Sequence, residues 1–237
     1  MDSLTLAISQ GSLRRGSAAI YLPIWHPEIE EFITIRKPTG GDPNRKSLNI
    51  HNAVVIDDHF MECVEKGTKY PLRSVSYKTK DQIVKWVSAR DIWMKILETR
   101  FSTGEPYLLF IDNVNRKKSP VYKKLNLNVS TSNLCNEIML HTGKDHRGKQ
   151  RTAVCCLSSL NLAYWDSYKS NKVFFKDILC FLDCVLQDFI DSSAPVDASP
   201  QIRKAFKMAQ YSANRERSVG LGVMGFASLL QKKNIPF

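Results

Sequence analysis

The chain has 237 residues, of which 43% are hydrophobic and 24% charged, so wholesale disorder is excluded and a substantial core can form. Its formal net charge of +11 fits a polyanionic partner such as nucleic acid or a nucleotide phosphate, and fits equally well a basic surface without a specific role. No apolar run is long enough to span a bilayer and no signal-peptide pattern opens the chain, so we expect a cytoplasmic protein with no membrane partner.

The predicted elements alternate between strands and helices. Strands are predicted at 18–22, 52–56, 107–111 and 153–162. Helices are predicted from about Pro27, over 81–100, at roughly 173–191 and 200–215, and in the last apolar segment. This order predicts an α/β fold of parallel strands with helical crossovers. With no element expected before the first strand, the sequence is typical of a section of a larger protein.

Six cysteines, at 63, 135, 155, 156, 180 and 184, form no C-x-x-C pair, and no histidines stand beside them at zinc-ligand spacing. In a reducing compartment such residues are buried apolar fillers or chemically active thiols. Cys180 and Cys184 lie in an apolar helical segment and are predicted to be buried. Cys155 and Cys156 would face opposite ways on a strand, so at most one of them could join a cleft with Cys135.

The segment SNLCNE places Cys135 two residues from Asn133 and two from Glu137. On an extended chain these three side chains would face the same side. A neighbouring carboxylate disfavours a thiolate, and no histidine is nearby to activate a nucleophile. Three roles stay open for this thiol: a buried filler, a redox thiol, or a donor of hydrogen atoms.

Two glycine-containing segments are weaker signals. Residues 220–225 fit G-x-G-x-x-G but lack both a preceding strand and a later acid, so we expect the glycines to allow close packing of a turn against a strand. The basic loop at 40–48 could hold phosphate through the amides of Gly40 and Gly41 and the side chain of Arg45 or Lys46. Taken alone, this loop fits a solvated turn as well.

Several blocks in order resemble the large, catalytic subunit of class I ribonucleotide reductase across nearly the whole chain. They are GSLRRGSAA at 11–19, PIWH at 23–26, the loop at 40–48, STGEPY at 102–107, SNLCNEI at 132–138 and AVCCLSSLNL at 153–162. The resemblance implies part of a ten-stranded α/β barrel, with residues 1–237 as a single partial catalytic barrel domain. The N-terminal ATP cone and the C-terminal part of the barrel would lie outside it.

The resemblance also implies roles for the site residues. Cys135 would carry a transient thiyl radical that takes the 3′ hydrogen of a ribonucleoside diphosphate. Glu137 would act as general base on the 3′ hydroxyl, and Asn133 would hold the sugar. Cys155 would be one half of the reducing dithiol, whose other half has no counterpart here. Residues of the 40–48 loop would relay effector identity to the substrate, namely Gly40, Gly41, Arg45 and Lys46.

The expected reaction forms deoxyribonucleoside diphosphates for DNA synthesis, and the isolated chain is expected to be inactive. By the resemblance the chain binds no covalent cofactor and no metal, and its effectors are ATP and deoxynucleoside triphosphates. Its expected partners are a small subunit with a metal-linked radical, thioredoxin or glutaredoxin, and complementary large-subunit fragments, in an oligomeric complete enzyme. Two alternatives remain: a non-catalytic fragment that binds nucleotide or a reductase subunit, and a basic nucleic-acid-binding module.

Overall fold

The computed structural model describes residues 1–9, 13, 15–76, 78–79 and 81–237. Its residues group into two compact units, Met1–Leu140 and His141–Phe237. Residues Gly11, Ser12 and Arg14 of the glycine-rich block lie outside the described residues. No helix in the described ranges is long and apolar enough to cross a membrane.

The first unit contains six α-helices and five strands among its described residues. Its elements are α1 (Asp2–Ala7), β1 (Ala19–Pro23), α2 (Ile29–Phe32), β2 (His51–Ile56), α3 (Asp58–Lys66), β3 (Lys69–Arg73), β4 (Ile83–Ser88), α4 (Ala89–Thr103), β5 (Tyr107–Phe110), α5 (Ile111–Lys117) and α6 (Pro120–Lys124).

A three-stranded parallel sheet in the order β1-β2-β5 organises this unit. Strand β2 is its centre and contains the apolar segment predicted as a strand at 52–56; Ala53, Val54 and Ile56 are at most 1% exposed. Helices α3 and α4 supply Phe60, Ile92 and Ile96 to the same core. The predicted strands at 18–22, 52–56 and 107–111 are therefore confirmed, as is their parallel arrangement.

The prediction of one helix over 81–100 is wrong at its beginning. Residues Ile83–Ser88 form β4, which pairs antiparallel with β3, and the helix starts at Ala89. The β-branched and aromatic residues of IVKWV favour a strand, and the Ser88 hydroxyl accepts the backbone N–H of Asp91 to cap the helix. The apolar residues of β4 continue the helical spacing of those in α4 by coincidence, which made the two elements look like one helix. The helix α1 was likewise not expected.

The second unit contains the elements β6 (Gly143–Lys144), β7 (Gln150–Arg151), β8 (Leu157–Asn161), α7 (Trp165–Tyr168), α8 (Lys172–Asp191), α9 (Pro200–Glu216), β9 (Gly220–Met224) and α10 (Phe226–Lys232). Strands β6 and β7 form an antiparallel hairpin, and β8 and β9 pair in parallel. The predicted helices near 173–191, 200–215 and the C-terminus are confirmed, and the strand predicted at 153–162 begins only at Leu157.

Two details of the second unit correct or refine expectations. Cys180 and Cys184 on α8 are exposed, so the prediction that they are buried is wrong: they lie off the helix face that buries Leu182 and Leu186. Gly220 belongs to strand β9, not to a turn, and a Cβ atom there would lie 2.3 Å from Cδ2 of Leu157. Close glycine packing against a neighbouring strand is thus confirmed. None of the four sheets in the described ranges closes into a barrel.

Candidate active site

Cys135 lies at the tip of a tight turn that follows α6. The backbone N–H of Asn136 donates to the carbonyl of Asn133 (3.2 Å), and Asn136 takes a φ of +64°. Asparagine tolerates this left-handed conformation better than most residues because its short side chain can hydrogen-bond locally. The expectation of an extended segment is therefore wrong. The turn instead leaves the Cys135 side chain exposed, so a buried filler role is excluded within this unit.

The turn still brings the amide of Asn133 and the carboxylate of Glu137 together. The Asn133 Oδ1 atom accepts the backbone N–H groups of Glu137 and Ile138, each at 3.0 Å, and its Nδ2 atom donates to Glu137 Oε1 at 2.9 Å. The Ser132 hydroxyl closes the loop further by donating to the Ile138 carbonyl at 2.9 Å. One amide side chain thereby orients the carboxylate and shapes the backbone that carries the thiol.

Two strands of the parallel sheet hold this turn in place. The Tyr21 hydroxyl on β1 lies 2.6 Å from the Asn133 carbonyl and 3.2 Å from Asn136 Oδ1, so its single proton serves two acceptors. On β5, the Leu108 carbonyl accepts from Asn136 Nδ2 at 3.2 Å. The thiol-bearing turn is therefore tied to β1 and β5.

Burial raises the pKa of the Tyr21 phenol above its usual range, and the nearby Tyr107, Glu137 and Cys135 raise it further, against an opposing hydrogen bond from Ser132. Tyr21 is thus a neutral hydroxyl at physiological pH and remains a donor to the turn. Sequence reasoning missed Tyr21, which reads there only as an apolar strand residue.

A second tyrosine, Tyr107 on β5, packs on a partly buried ionic cluster. Burial raises its pKa, and the charges of Glu105 and Cys135 add to this. Its ring stacks on His51, with centroids 5.9 Å apart and planes at 13°. Beneath it, Glu105 is 7% exposed, contacts His51, and lies 3.1 Å from the Arg36 Nε atom. This cluster was also missed, because its members are scattered through the sequence.

Cys155 belongs to the second unit, in the segment that precedes β8, and its side chain is exposed. Its neighbour Cys156 points elsewhere, with its Sγ atom 3.6 Å from the carbonyl of Leu182 on α8. Neither residue lies on β8, so the strand alternation from which their divergence was expected does not apply to them. Cys135 belongs to the first unit and Cys155 to the second.

The 40–48 loop is an exposed turn on the first unit. Gly40 and Gly41 have φ values of +75° and +73°, which only glycine adopts without strain. Arg45 is paired with Glu31, which raises the pKa of its guanidinium through a hydrogen bond. A cleft of about 510 Å³ beside the loop is lined by residues that include Gly41, Arg45 and Lys46. Lys46 carries no ion pair within the described part of the chain.

Across the described residues, no group of three or more histidine, cysteine, aspartate or glutamate side chains could hold a metal ion. The side chains in and around the Cys135 turn are one thiol, one carboxylate, amides and two phenols.

Comparison with known proteins agrees with this geometry. The family model described as ribonucleotide reductase, barrel domain, matches residues 1–237. The chain belongs to this family. A Frog virus 3 (isolate Goorha) protein, provisionally named as a ribonucleoside-diphosphate reductase large subunit, is 48% identical over all of this chain and 39% of its own length.

Two further proteins similar to this chain are also ribonucleotide reductase large or alpha subunits. The ribonucleoside-diphosphate reductase large subunit of Invertebrate iridescent virus 3 is 35% identical over 99% of this chain and 43% of its own length. The Actinobacillus ureae class Id ribonucleotide reductase alpha subunit superposes with a TM-score of 0.70 at 31% identity, over 94% of this chain and 36% of that one. The chain thus spans about two fifths of the length of each of these three proteins.

The hydroxyl of Tyr21 is expected to stabilise the Cys135 turn by about 1 kcal/mol, the usual net value of one hydrogen bond. In a Tyr21→Phe variant, the amides of Asn136, Glu137 and Ile138 should exchange with deuterium about fivefold faster, because the turn opens more often. Hydrogen exchange read by mass spectrometry measures this directly.

Tyr107→Phe is the matched control, since the Tyr107 hydroxyl has no hydrogen-bond partner among the described residues. Its exchange in 133–138 should equal that of the wild type. Equal acceleration in both variants, or in neither, would contradict an anchoring role for the Tyr21 hydroxyl.

Proposed function

We propose that this chain supplies the thiol-bearing part of the active site of a ribonucleoside-diphosphate reductase, which converts ribonucleoside diphosphates to deoxyribonucleoside diphosphates. The single observation that supports the proposal most is the Cys135 turn, in which Asn133 holds Glu137 beside the thiol at the end of a parallel sheet. Family membership over the whole chain supports the same reaction.

Each side chain then has one role. Cys135 carries the hydrogen atom taken from the 3′ carbon, a task that suits an exposed thiol. Glu137 accepts the proton of the 3′ hydroxyl, which requires hydrogen-bond reach to that group. Asn133 orients Glu137 with one N–H of its side-chain amide and binds the sugar with the other. Tyr21 fixes the turn that carries all three.

Cys155 is proposed as one half of the dithiol that supplies two electrons and ends as a disulfide. Thioredoxin or glutaredoxin would restore it, and the other half would come from outside residues 1–237. Residues 40–48 are proposed to relay the identity of a bound ATP or deoxynucleoside triphosphate. Because Arg45 is paired with Glu31, Lys46 is the better placed of the two cations to meet a phosphate.

The radical itself would arise in a separate small subunit with a metal-linked radical. Residues 1–237 would act as a single partial barrel domain that needs complementary large-subunit segments, and the complete enzyme would be an oligomer in the cytoplasm.

The purified chain is expected to form no deoxyribonucleotide with a small subunit and reductant alone. Adding the segments that flank the aligned region in the Frog virus 3 protein should produce deoxycytidine diphosphate from cytidine diphosphate, measured by chromatography. The reason is that the chain spans only about two fifths of its relatives, so most of a full-length protein must come from elsewhere.

Turnover by the chain alone would contradict the split active site. If the added segments bind the chain but no product forms, the reductase proposal fails and a non-catalytic subunit-binding role is supported. Omitting the small subunit is the matched control, and it should remove all product.

A further inference from the structure

The hairpin β6–β7 and the helix α9 line an open cleft of about 590 Å³ in the second unit, here called the α9 cleft. Nothing in the proposed reductase chemistry uses it. Its walls combine four cationic side chains with an aromatic and a thioether group: Lys149, Arg203, Lys204, Lys207, Tyr211 and Met208.

The cations of the α9 cleft have no acidic partners of their own. Within the described part of the chain, Lys149, Lys204 and Lys207 form no ion pair with a carboxylate, and all three are exposed. The only acids in segments 143–151 and 200–216 are Asp145 and Glu216. Both bind Arg151, at 3.0 Å and 2.6 Å. The surplus positive charge of the cleft is therefore not neutralised by the fold.

Buried contacts fix the two elements that carry these cations. Arg151 on the hairpin is 3% exposed and joins Asp145 to Glu216 at the end of α9. The Tyr211 hydroxyl on α9 donates to Asp145 Oδ2 at 2.9 Å. Because the hairpin and the helix are bound at both points, the backbone that carries the cations needs little reorganisation when a ligand binds, which favours binding.

Arg203 is oriented as well. Its Nε atom donates to the Ala198 carbonyl at 3.0 Å and its Nη2 atom to the Val196 carbonyl. A guanidinium has five N–H donors, so three of them remain for a ligand. Guanidinium groups match phosphate oxygens in geometry, and ammonium groups add point charges.

The aromatic wall argues against a base-stacking site. The Lys149 Nζ atom lies 5.2 Å from the Tyr211 ring centroid and the Arg151 guanidinium carbon lies 5.7 Å from it. The ring is thus engaged by two cations and offers no platform for a nucleobase. A ligand would be recognised by its charge and not by its base.

We propose that the α9 cleft binds a free polyphosphate chain, of the kind found in tripolyphosphate and in the triphosphate group of nucleotides. Several adjacent cations on a fixed surface suit several adjacent phosphates, whereas a lone phosphate meets only part of the set. The site is independent of the Cys135 turn and of the proposed reaction.

The test is isothermal titration calorimetry of the full 237-residue chain with inorganic tripolyphosphate, at about 0.1 M salt so that exposed charges are partly screened. The Lys204→Glu/Lys207→Glu variant should bind about tenfold more weakly or worse, because each reversal replaces attraction by repulsion. Circular dichroism should show an unchanged fold, since both side chains are exposed.

Lys172→Glu/Lys176→Glu is the matched control: two exposed lysines on α8 in the same unit, with the same change in net charge. It should bind tripolyphosphate as the wild type does. ATP should bind with about the affinity of tripolyphosphate, because the base is not read. Equal weakening of tripolyphosphate binding in both double variants would overturn the proposal. So would a wild-type chain that binds ATP but does not bind tripolyphosphate. Binding of duplex DNA that tripolyphosphate does not displace would also overturn it.

Discussion

Replacing Arg151 by methionine is expected to lower the free energy of unfolding of the second unit by about 3–5 kcal/mol, the usual cost of removing one partner from a buried ion pair. The side chains of Arg151 and Asp145 are 3% and 0% exposed, and Glu216 is 11% exposed. The variant leaves two carboxylates near one another without their cation. Urea unfolding followed by the fluorescence of Trp165, which is the one tryptophan of 141–237, measures the loss.

Lys169→Met is the matched control in the same unit. Its ion pair with Asp166 is exposed on both sides, so screening by water should leave the midpoint nearly unchanged. The double variant Asp145→Asn/Arg151→Met should recover part of the loss, because it removes one of the two carboxylate charges that Arg151→Met leaves without their cation. A midpoint of Arg151→Met equal to that of Lys169→Met would show that the buried cluster contributes no stability.

The same cluster predicts how stability depends on pH. Burial alone would raise the pKa of Asp145, but the backbone N–H of Arg147, the Tyr211 hydroxyl, Arg151 and the backbone N–H of Lys149 together hold it well below its usual range. A depressed pKa in the folded state means that folding favours the carboxylate. This contribution is fully present above the unfolded pKa of about 3.9 and declines as the pH falls further.

The central sheet of the first unit could be predicted from the sequence because its signals are local. Segment NAVVI has the continuous apolar pattern of a strand buried on both faces, and YLLF follows the helix-ending Gly104 and Pro106. Such patterns involve only residues that are neighbours along the chain, so the elements that they form can be predicted from the sequence. The helices α8 and α9 were recovered for the same reason.

The segment 83–88 shows where that reasoning fails. The residues Ile83, Val84, Trp86 and Val87 satisfy a helical period when joined to those of α4, yet pairing with β3 decides the outcome. Strand pairing is a contact between distant segments, and no window of sequence contains it. The predicted burial of Cys180 and Cys184 is wrong for a similar reason, since the sequence of an apolar helix does not show which of its faces packs against the rest of the protein.

In the candidate site, too, one part could be predicted from the sequence and another could not. The trio Asn133, Cys135 and Glu137 could be found because its members are neighbours in sequence, and their residue types suggest a chemistry. The turn that presents them could not, because it depends on Tyr21 and on the Leu108 carbonyl, which are respectively 112 and 28 residues from their hydrogen-bond partners in the turn. The roles of all these side chains remain predictions.

The second prediction of large effect concerns Cys135 itself. A Cys135→Ser variant is expected to lose all reductase turnover in the reconstituted enzyme, because an O–H bond is stronger than an S–H bond and a serine oxygen cannot carry the hydrogen atom. The substitution is close to isosteric and the side chain is exposed at the tip of the turn. The hydrogen bonds among Asn133, Glu137 and Tyr21 do not involve the thiol, so the turn should persist.

Cys184→Ser is the matched control, because it makes the same change at another exposed thiol, on α8. Its turnover should equal that of the wild type. Hydrogen exchange over 133–138 should be the same in Cys135→Ser, Cys184→Ser and the wild-type chain, which separates loss of chemistry from loss of the turn.

The role of Cys135 is tested most directly by the rate of deoxycytidine diphosphate formation by Cys135→Ser, reconstituted with the flanking large-subunit segments, a small subunit and reductant. The predicted result is a rate equal to the assay background, with the control variant fully active and the turn intact. A rate above background for Cys135→Ser under these conditions would contradict the assignment of Cys135 as the hydrogen-atom carrier.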